Sequence, residues 1–433
     1  MRTVMRALVG AFYNRLGGPG ASLVALLATG VAALAAAQDT LTVVEATRIA
    51  VEANPMLRAA RYSAEAAAQR IGPAGALPDP QLQFGLMNRM ASDFGSTMDP
   101  MTMNQVQLMQ MLPWPGKLGG ARLAARHDAT AASADADEQG RMLGAQVRMA
   151  YYDVAYADRA LAVMQGTQQL LRQFLDVSTT MYTVGSAVQQ DVLRAQVEVA
   201  RMTEEITRMG QERVAGAARL NALLGREATR LIGLLELPEP GGDLPAADSL
   251  IARALDGRPA VRAGSERVAA AEASLRAARR ELYPDFQLGV AYQQRPQFPT
   301  MVSLMVGVNL PIFAGSKQLA ARRQMAAMRD MSHAELLNLK NETTARIIET
   351  RARAVLDRNL VRLYRTSIVP QARAAVQASL SGYRVGRVSF MQLIDNQMTI
   401  NRYETETYRL IADYHQAVGE LEALVGQPLE GQP

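Results

Sequence analysis

The chain has 433 residues, a formal net charge of +5 and no cysteine, which excludes disulfides, thiolate metal sites and a lipidated N-terminal Cys. Setting aside the three arginines of the first 37 residues lowers the charge from +5 to +2, so net charge gives nucleic-acid binding no support. No aromatic-rich basic motif accompanies it.

Residues 1–37 are predicted to be a cleavable signal peptide. Arg2, Arg6 and Arg15 form a basic start without acids, Ala21 to Leu34 is apolar, and Ala35-Ala36-Ala37 offers small residues for cleavage. The apolar run has about 14 residues, short of the roughly 20 a spanning helix needs. The protein is therefore expected to be exported.

Residues 42–71 are Ala-rich and predicted helical, with an interruption at Asn54-Pro55. In "LPDPQLQFGLM" (77–87), Leu82, Phe84 and Leu86 alternate with Gln81, Gln83 and Gly85, the period of a strand. "NQVQLMQML" (104–112) supplies its partner, and "LPWPGK" (112–117) closes the hairpin. A helix over about 118–183 would span about 100 Å, too long for a globular core. Val184-Gly185 stops it, consistent with a left-handed cap, and a returning helix follows over about 188–224.

The pattern then repeats. Arg258-Pro259 echoes Asn54-Pro55, "LYPDFQLGVAY" (282–292) echoes the first strand, "MVSLMVGVNL" (301–310) pairs with it, and "LPIFAG" (310–315) closes the hairpin. A second long helix over about 317–383 is predicted to bend near Pro370. Val385-Gly386 ends it, and a returning helix covers about 389–425. Aligning 182–226 with 383–427 gives eleven identities in 45 positions, including Tyr182/Tyr383, Gly185/Gly386, Arg201/Arg402 and Glu205/Glu406. The chain therefore divides into a first repeat over 38–225 with its hairpin at 80–112, a linker over 226–247, a second repeat over 248–427 with its hairpin at 284–311, and a tail over 428–433. Each half pairs one continuous helix with a composite of two shorter ones.

The strands have the length of transmembrane β-strands, with one apolar and one polar face. A soluble sheet with one covered face would alternate identically. Export and the long helices favour a membrane barrel, and four strands need further copies to close it without edges.

The duplicated architecture, the "PDPQL" and "PDFQL" strand starts, the "LPWPGK" and "LPIFAG" strand ends and the two Tyr-x-Val-Gly turns resemble the TolC-like outer-membrane efflux proteins over nearly the whole mature chain. The resemblance implies a mainly α fold with a transmembrane β-barrel: a homotrimer with a twelve-stranded barrel in outer-membrane lipid, continuing into a long periplasmic α-helical barrel. It implies docking to a periplasmic adaptor and an inner-membrane transporter of RND or ABC type. Val184, Gly185, Val385 and Gly386 would form the adaptor-docking tips. In the family an Asp of the first hairpin contacts a Tyr and an Arg beside the second turn, latching the tip. Asp191 and Tyr383 match those positions. Val388 replaces the Arg, with Arg387 beside it. Where well-studied members narrow the pore with two Asp, this chain has Gln392 and Asp395, which implies weaker cation selection.

No catalytic signature or cofactor motif appears. His127, His333 and His415 lack ligand spacing and are expected on solvated helix faces. Seven methionines fall between Met87 and Met111, and Met98, Met101 and Met103 in "MDPMTM" are candidate soft-metal contacts. Met as adaptable apolar filler is the competing reading. The expected function is passive, gated efflux, with metal ions as one cargo. A type I protein-secretion channel and a soluble periplasmic coiled-coil scaffold are the alternatives.

Overall fold

The computed structural model describes residues 41–89, 91, 101–296, 298–427 and 429. The expected signal peptide, Met98, and the tail apart from Leu429 lie outside the described residues. The first half runs α1 (Val43–Ala53), α2 (Pro55–Gln69), a short α3 (Ile71–Ala74), β1 (Gln81–Met87), β2 (Met103–Leu112), α4 (Lys117–Thr183) and α5 (Gln189–Leu223). The second runs α6 (Ala247–Gly257), α7 (Pro259–Arg280), β3 (Asp285–Gln294), β4 (Met301–Asn309), α8 (Gln318–Leu363), a π-helical turn (Tyr364–Ile368), α9 (Val369–Arg384) and α10 (Phe390–Val425).

The 67 residues of α4 extend about 100 Å. On one side α4 packs against α2 and α5, and on the other against α7 and α10. Helices α8 and α9 lie beyond α7 and α10. Small residues permit these contacts. Ala131 and Ala134 of α4 meet Ala263 of α7, and a side chain at Gly120 would sit 2.9 Å from the Ala277 methyl. Close backbones gain dispersion contacts that larger side chains would prevent.

The breaks between paired short helices are fixed by side chains. Asn54 accepts from the N–H groups of Met56 and Leu57 (2.8 and 3.3 Å), capping α2 above Pro55. Its amide also donates to the Leu223 carbonyl at 2.9 Å, so the end of α5 abuts the α1–α2 break. At the second break Glu138 replaces the cap. Its carboxylate binds Arg258 at 2.6 Å and accepts the Ala260 N–H at 3.2 Å.

The second long helix runs from Gln318 to Arg384 with one irregular turn. Pro370 supplies no N–H, and its ring crowds the preceding turn, so the chain opens a π turn at Tyr364–Ile368 just ahead of it.

Buried polar groups pin the linker to the helices. Arg213 pairs with Asp158 at 2.5 Å, Asp158 accepts the Leu235 N–H, and the Tyr151 hydroxyl accepts the Glu236 N–H. His415 corrects its expected solvated placement. It is buried, stacks on Tyr152 at 4.8 Å and bonds through Nε2 to the Pro238 carbonyl at 2.9 Å. That carbonyl lies 177 residues away, so no local spacing announces it. Burial pushes the imidazole below its ordinary value of 6.5. A histidine held neutral in the fold contributes stability above that value and loses it as pH falls and the unfolded chain takes the proton. We expect wild-type protein to lose thermal stability between pH 7.5 and 5.5, and His415→Gln to show a smaller loss over the same interval, read by circular dichroism melts.

Candidate functional site

The four strands form one antiparallel sheet in the order β1-β2-β3-β4. Its register aligns Phe84, Val106, Tyr292 and Val302 in one row, and Leu82, Leu108, Val290 and Leu304 in the next. This aliphatic face is uncovered: Phe84 is 76% exposed and Leu304 75%. On the other face Gln83, Gln107, Ala291 and Ser303 share a row. Met103 lies on that polar face, directly opposite Met87, whereas Met101 is exposed just ahead of β2. No helix among the described residues is long and apolar enough to cross a membrane.

The two Tyr-x-Val-Gly turns are matching left-handed helix stops. Gly185 has φ +76° and Gly386 +72°. In the first, Ser186 N–H donates to the Met181 carbonyl at 2.8 Å and Gly185 N–H to Tyr182 at 3.0 Å. In the second, Arg387 N–H donates to Gly382 at 2.9 Å and Gly386 N–H to Tyr383 at 3.0 Å. Both are Schellman closures, which require the positive φ that glycine adopts without strain. Val184 and Val385 project into solvent at the turns. Of the two returning helices, α5 starts without a side-chain cap, whereas α10 has one, with Ser389 accepting from the Gln392 N–H.

Tyr383 of the second hairpin lies near enough to Asp191 of the first for the carboxylate's charge to reach its phenol, without a hydrogen bond between them. The Tyr383 ring is buried against Phe390, centroids 5.4 Å apart, in an apolar cluster shared by α4, α5, α9 and α10. Burial pushes the Asp191 carboxyl up. Burial, and then the charge of Asp191, push the Tyr383 phenol up. The Tyr383 hydroxyl has no hydrogen-bond partner among the described residues. The other expected latch and gate residues are exposed. Arg387 and Gln392 are exposed, and Arg387 forms no ion pair among the described residues. Asp395 is exposed in a groove of about 560 Å³ between α5 and α10, beside Arg201, Arg208 and Arg402.

Two charged clusters escaped sequence reasoning. Lys117, at the end of the first hairpin, is buried and pairs with Asp285 at 2.8 Å and Glu281 at 3.3 Å. The repeated Pro-Asp of the strand starts was its only visible signal. Asp357 of α8 is buried near Asp413 of α10. Burial, and then the Asp413 charge, push it up to about 6. No sequence signal marks that pair, because 56 residues separate its members. His127 pairs with Glu266 at 2.7 Å, and His333 lies 3.7 Å from Glu272. No group of three or more His, Cys, Asp or Glu suited to a metal occurs among the described residues.

The family model described as "Outer membrane efflux protein" matches residues 46–226 and 250–427. The chain belongs to the outer membrane efflux protein family. Within it, this member is 22% identical over 292 residues to the cobalt-zinc-cadmium resistance protein CzcC of Cupriavidus metallidurans, covering 65% of this chain and 67% of that one. It is 22% identical to nodulation protein T of Rhizobium leguminosarum bv. trifolii, covering 64% of this chain and 61% of that one. Among solved structures its fold matches CusC (TM-score 0.78, 16% identity, 90% and 93% coverage) and the outer-membrane channel OprN (0.75, 19%, 90% and 90%). It also matches VceC of Vibrio cholerae (0.76, 16%, 90% and 97%). The expected TolC-like relationship therefore holds, and these family neighbours are channels rather than enzymes.

Tyr383 contributes packing and a hydroxyl, and two substitutions separate them. Tyr383→Ala should destabilise the helical part by about 3–5 kcal/mol through the cavity it leaves. Tyr383→Phe should change stability by less than about 1 kcal/mol, because it removes a group without a partner. Denaturant unfolding followed by far-ultraviolet circular dichroism checks the ranking.

Proposed function

We propose that this chain is the outer-membrane conduit of a tripartite efflux system, a homotrimer whose strands close a twelve-stranded barrel around a water-filled lumen. The uncovered aliphatic face of the sheet carries this reading, because lipid satisfies it and water does not. Strands β1 and β4 are free edges, which lipid cannot solvate, so further copies must pair them. The helices would continue the barrel as a periplasmic α-helical tube, built from the repeats at 38–225 and 248–427. Export by a cleavable signal peptide completes the route.

The mechanism is passive. A periplasmic adaptor would engage the turns at Val184-Gly185 and Val385-Gly386, and an inner-membrane transporter would supply the energy. Asp191 and Tyr383 would form the latch. A partly buried carboxylate and a buried hydroxyl without a partner lie close enough to interact, so a small rotation that joined them would satisfy both. Arg387 would support the latch, and Gln392 and Asp395 would line the narrowing. Similarity to CzcC favours metal ions as cargo.

Planar-bilayer recording of detergent-purified protein tests the conduit. Wild-type protein should give small, cation-preferring channels, and Asp191→Ala with Tyr383→Phe should raise mean conductance several-fold. A protein that is soluble without detergent and never conducts would overturn the reading. Equal conductance of wild type and variant would remove the latch alone.

A further inference from the structure

We propose that the seam between copies of this chain repeats the joint between its own halves, with Lys317 of one copy paired to Asp79 of the next. This rests on the trimeric reading above. Within the chain, the joint where β2 ends and β3 begins is held by Lys117 on Asp285 and Glu281. The Trp114 N–H donates to Asp285 Oδ1 at 2.8 Å, and its ring stacks on Tyr283 (5.0 Å) and Phe286 (5.9 Å). The outer edges carry the same kinds of residue. Pro78-Asp79 precedes β1 as Pro284-Asp285 precedes β3. Leu310-Pro311 and Lys317 follow β4 as Leu112-Pro113 and Lys117 follow β2, with a connection two residues longer.

These outer residues lack what their inner counterparts have. Asp79 and Lys317 are exposed, and neither forms an ion pair among the described residues. Ile312 and Phe313, beside Lys317, are 77% and 72% exposed, and Leu77, beside Asp79, is 53% exposed. A second copy would supply both the opposite charge and the apolar cover.

The inner joint also fixes a register. It sets Leu112 opposite Phe286 and Gln110 opposite Leu288. Carried to the free edges by the matched Leu-Pro and Pro-Asp positions, it sets Val308 opposite Leu82 of the next copy, Val306 opposite Phe84, and Leu304 opposite Leu86. Every pair falls on the aliphatic face, so that face continues without interruption. A shift by one residue would set glutamines against valines and break it.

Because the chain has no cysteine, engineered disulfides are unambiguous. The register places Gln83 opposite Gly307 of the next copy, on the polar face where an oxidant has access. Gly307 has room for a side chain. We expect Gln83→Cys with Gly307→Cys to give covalent trimers on non-reducing gels, and each single variant to give none. Lys317→Glu and Asp79→Lys should each lower the temperature at which trimers dissociate, and their combination should recover most of the loss. If light scattering reports trimers but the cysteine pair does not cross-link and the double charge variant does not recover, the seam is wrong and the assembly stands. If wild-type protein in detergent is a monomer, the trimeric reading falls and the seam with it.

Independently, we infer that Met109 and Met305 form a binding site for a soft monovalent cation, silver(I) or copper(I), on the polar face that the proposed function turns to the lumen. The strands hold Met87, Met103, Met109, Met111, Met301 and Met305, and all six lie on that face by the register. Apolar filler would favour the aliphatic face, where the strands place no methionine. Met109 and Met305 flank Gly289 on either side. A side chain there would meet Met109 Cγ at 3.4 Å and Met305 Cε at 3.3 Å, so the glycine leaves the space into which both thioether chains turn. Thioethers are soft donors that select such cations over hard divalent ones.

Calorimetric titration of detergent-purified protein with silver nitrate, in chloride-free buffer, tests the site. Met109→Leu with Met305→Leu should weaken binding by about tenfold or more. Gly289→Val, which fills the space and keeps both thioethers, should weaken it comparably. Met142→Leu with Met149→Leu, on α4, should leave it unchanged. Equal binding by wild type and both strand variants, or no binding by a wild type that conducts, would overturn the site. A wild type that neither conducts nor needs detergent would instead remove the lumen and the site together.

Discussion

The pairing of β2 with β3 holds the two halves in one sheet, and its register decides which side chains face outward. Val106 meets Tyr292 and Leu108 meets Val290, so the aliphatic rows of the two hairpins become one surface. A slip of one residue would carry Gln105 and Gln107 onto that surface. The joint at its end resists such a slip. Lys117 is buried there between Asp285 and Glu281, and a slip that carried it from both would strand a charge away from water.

Helix α4 starts five residues after β2 ends, at that joint, and then runs about 100 Å without interruption. No single short helix can cover such a length. The chain covers it with two pieces set end to end, and spends Asn54 and Glu138 on the breaks. These two residues do the same work by different means, a cap at one break and an ion pair with backbone contact at the other. Small residues along α4 let the columns approach closely near Ala131 and Ala134, and larger side chains such as Tyr151, Leu171 and Phe174 fill the contact farther along.

At the far end, two glycines with positive φ end the long helices in the same way. The local geometry is duplicated, but the surroundings are not. Tyr383 is buried between the hairpins, whereas Tyr182, its counterpart in the repeat, is 45% exposed. The two turns therefore share one backbone geometry, but only the second sets its tyrosine into the apolar cluster where helices of both hairpins pack.

The sequence by itself determined the local features. Alternation in residues 81–87 and 285–294, the Pro breaks after Asn54 and Arg258, and the Val-Gly stops all act over a few residues, where backbone sterics and capping settle the outcome. The family was legible for the same reason, since its motifs are local and their order is specific. Only the tertiary structure decided the contacts between distant segments. It set the Asp191 charge within reach of Tyr383, it buried His415 on the linker, and it placed Asp357 near Asp413. It also put the strand methionines on the polar face together, by pairing β3 with both neighbours. Such contacts depend on how columns pack across dozens to nearly two hundred residues of chain, and nothing in the spacing of one segment records the position of another.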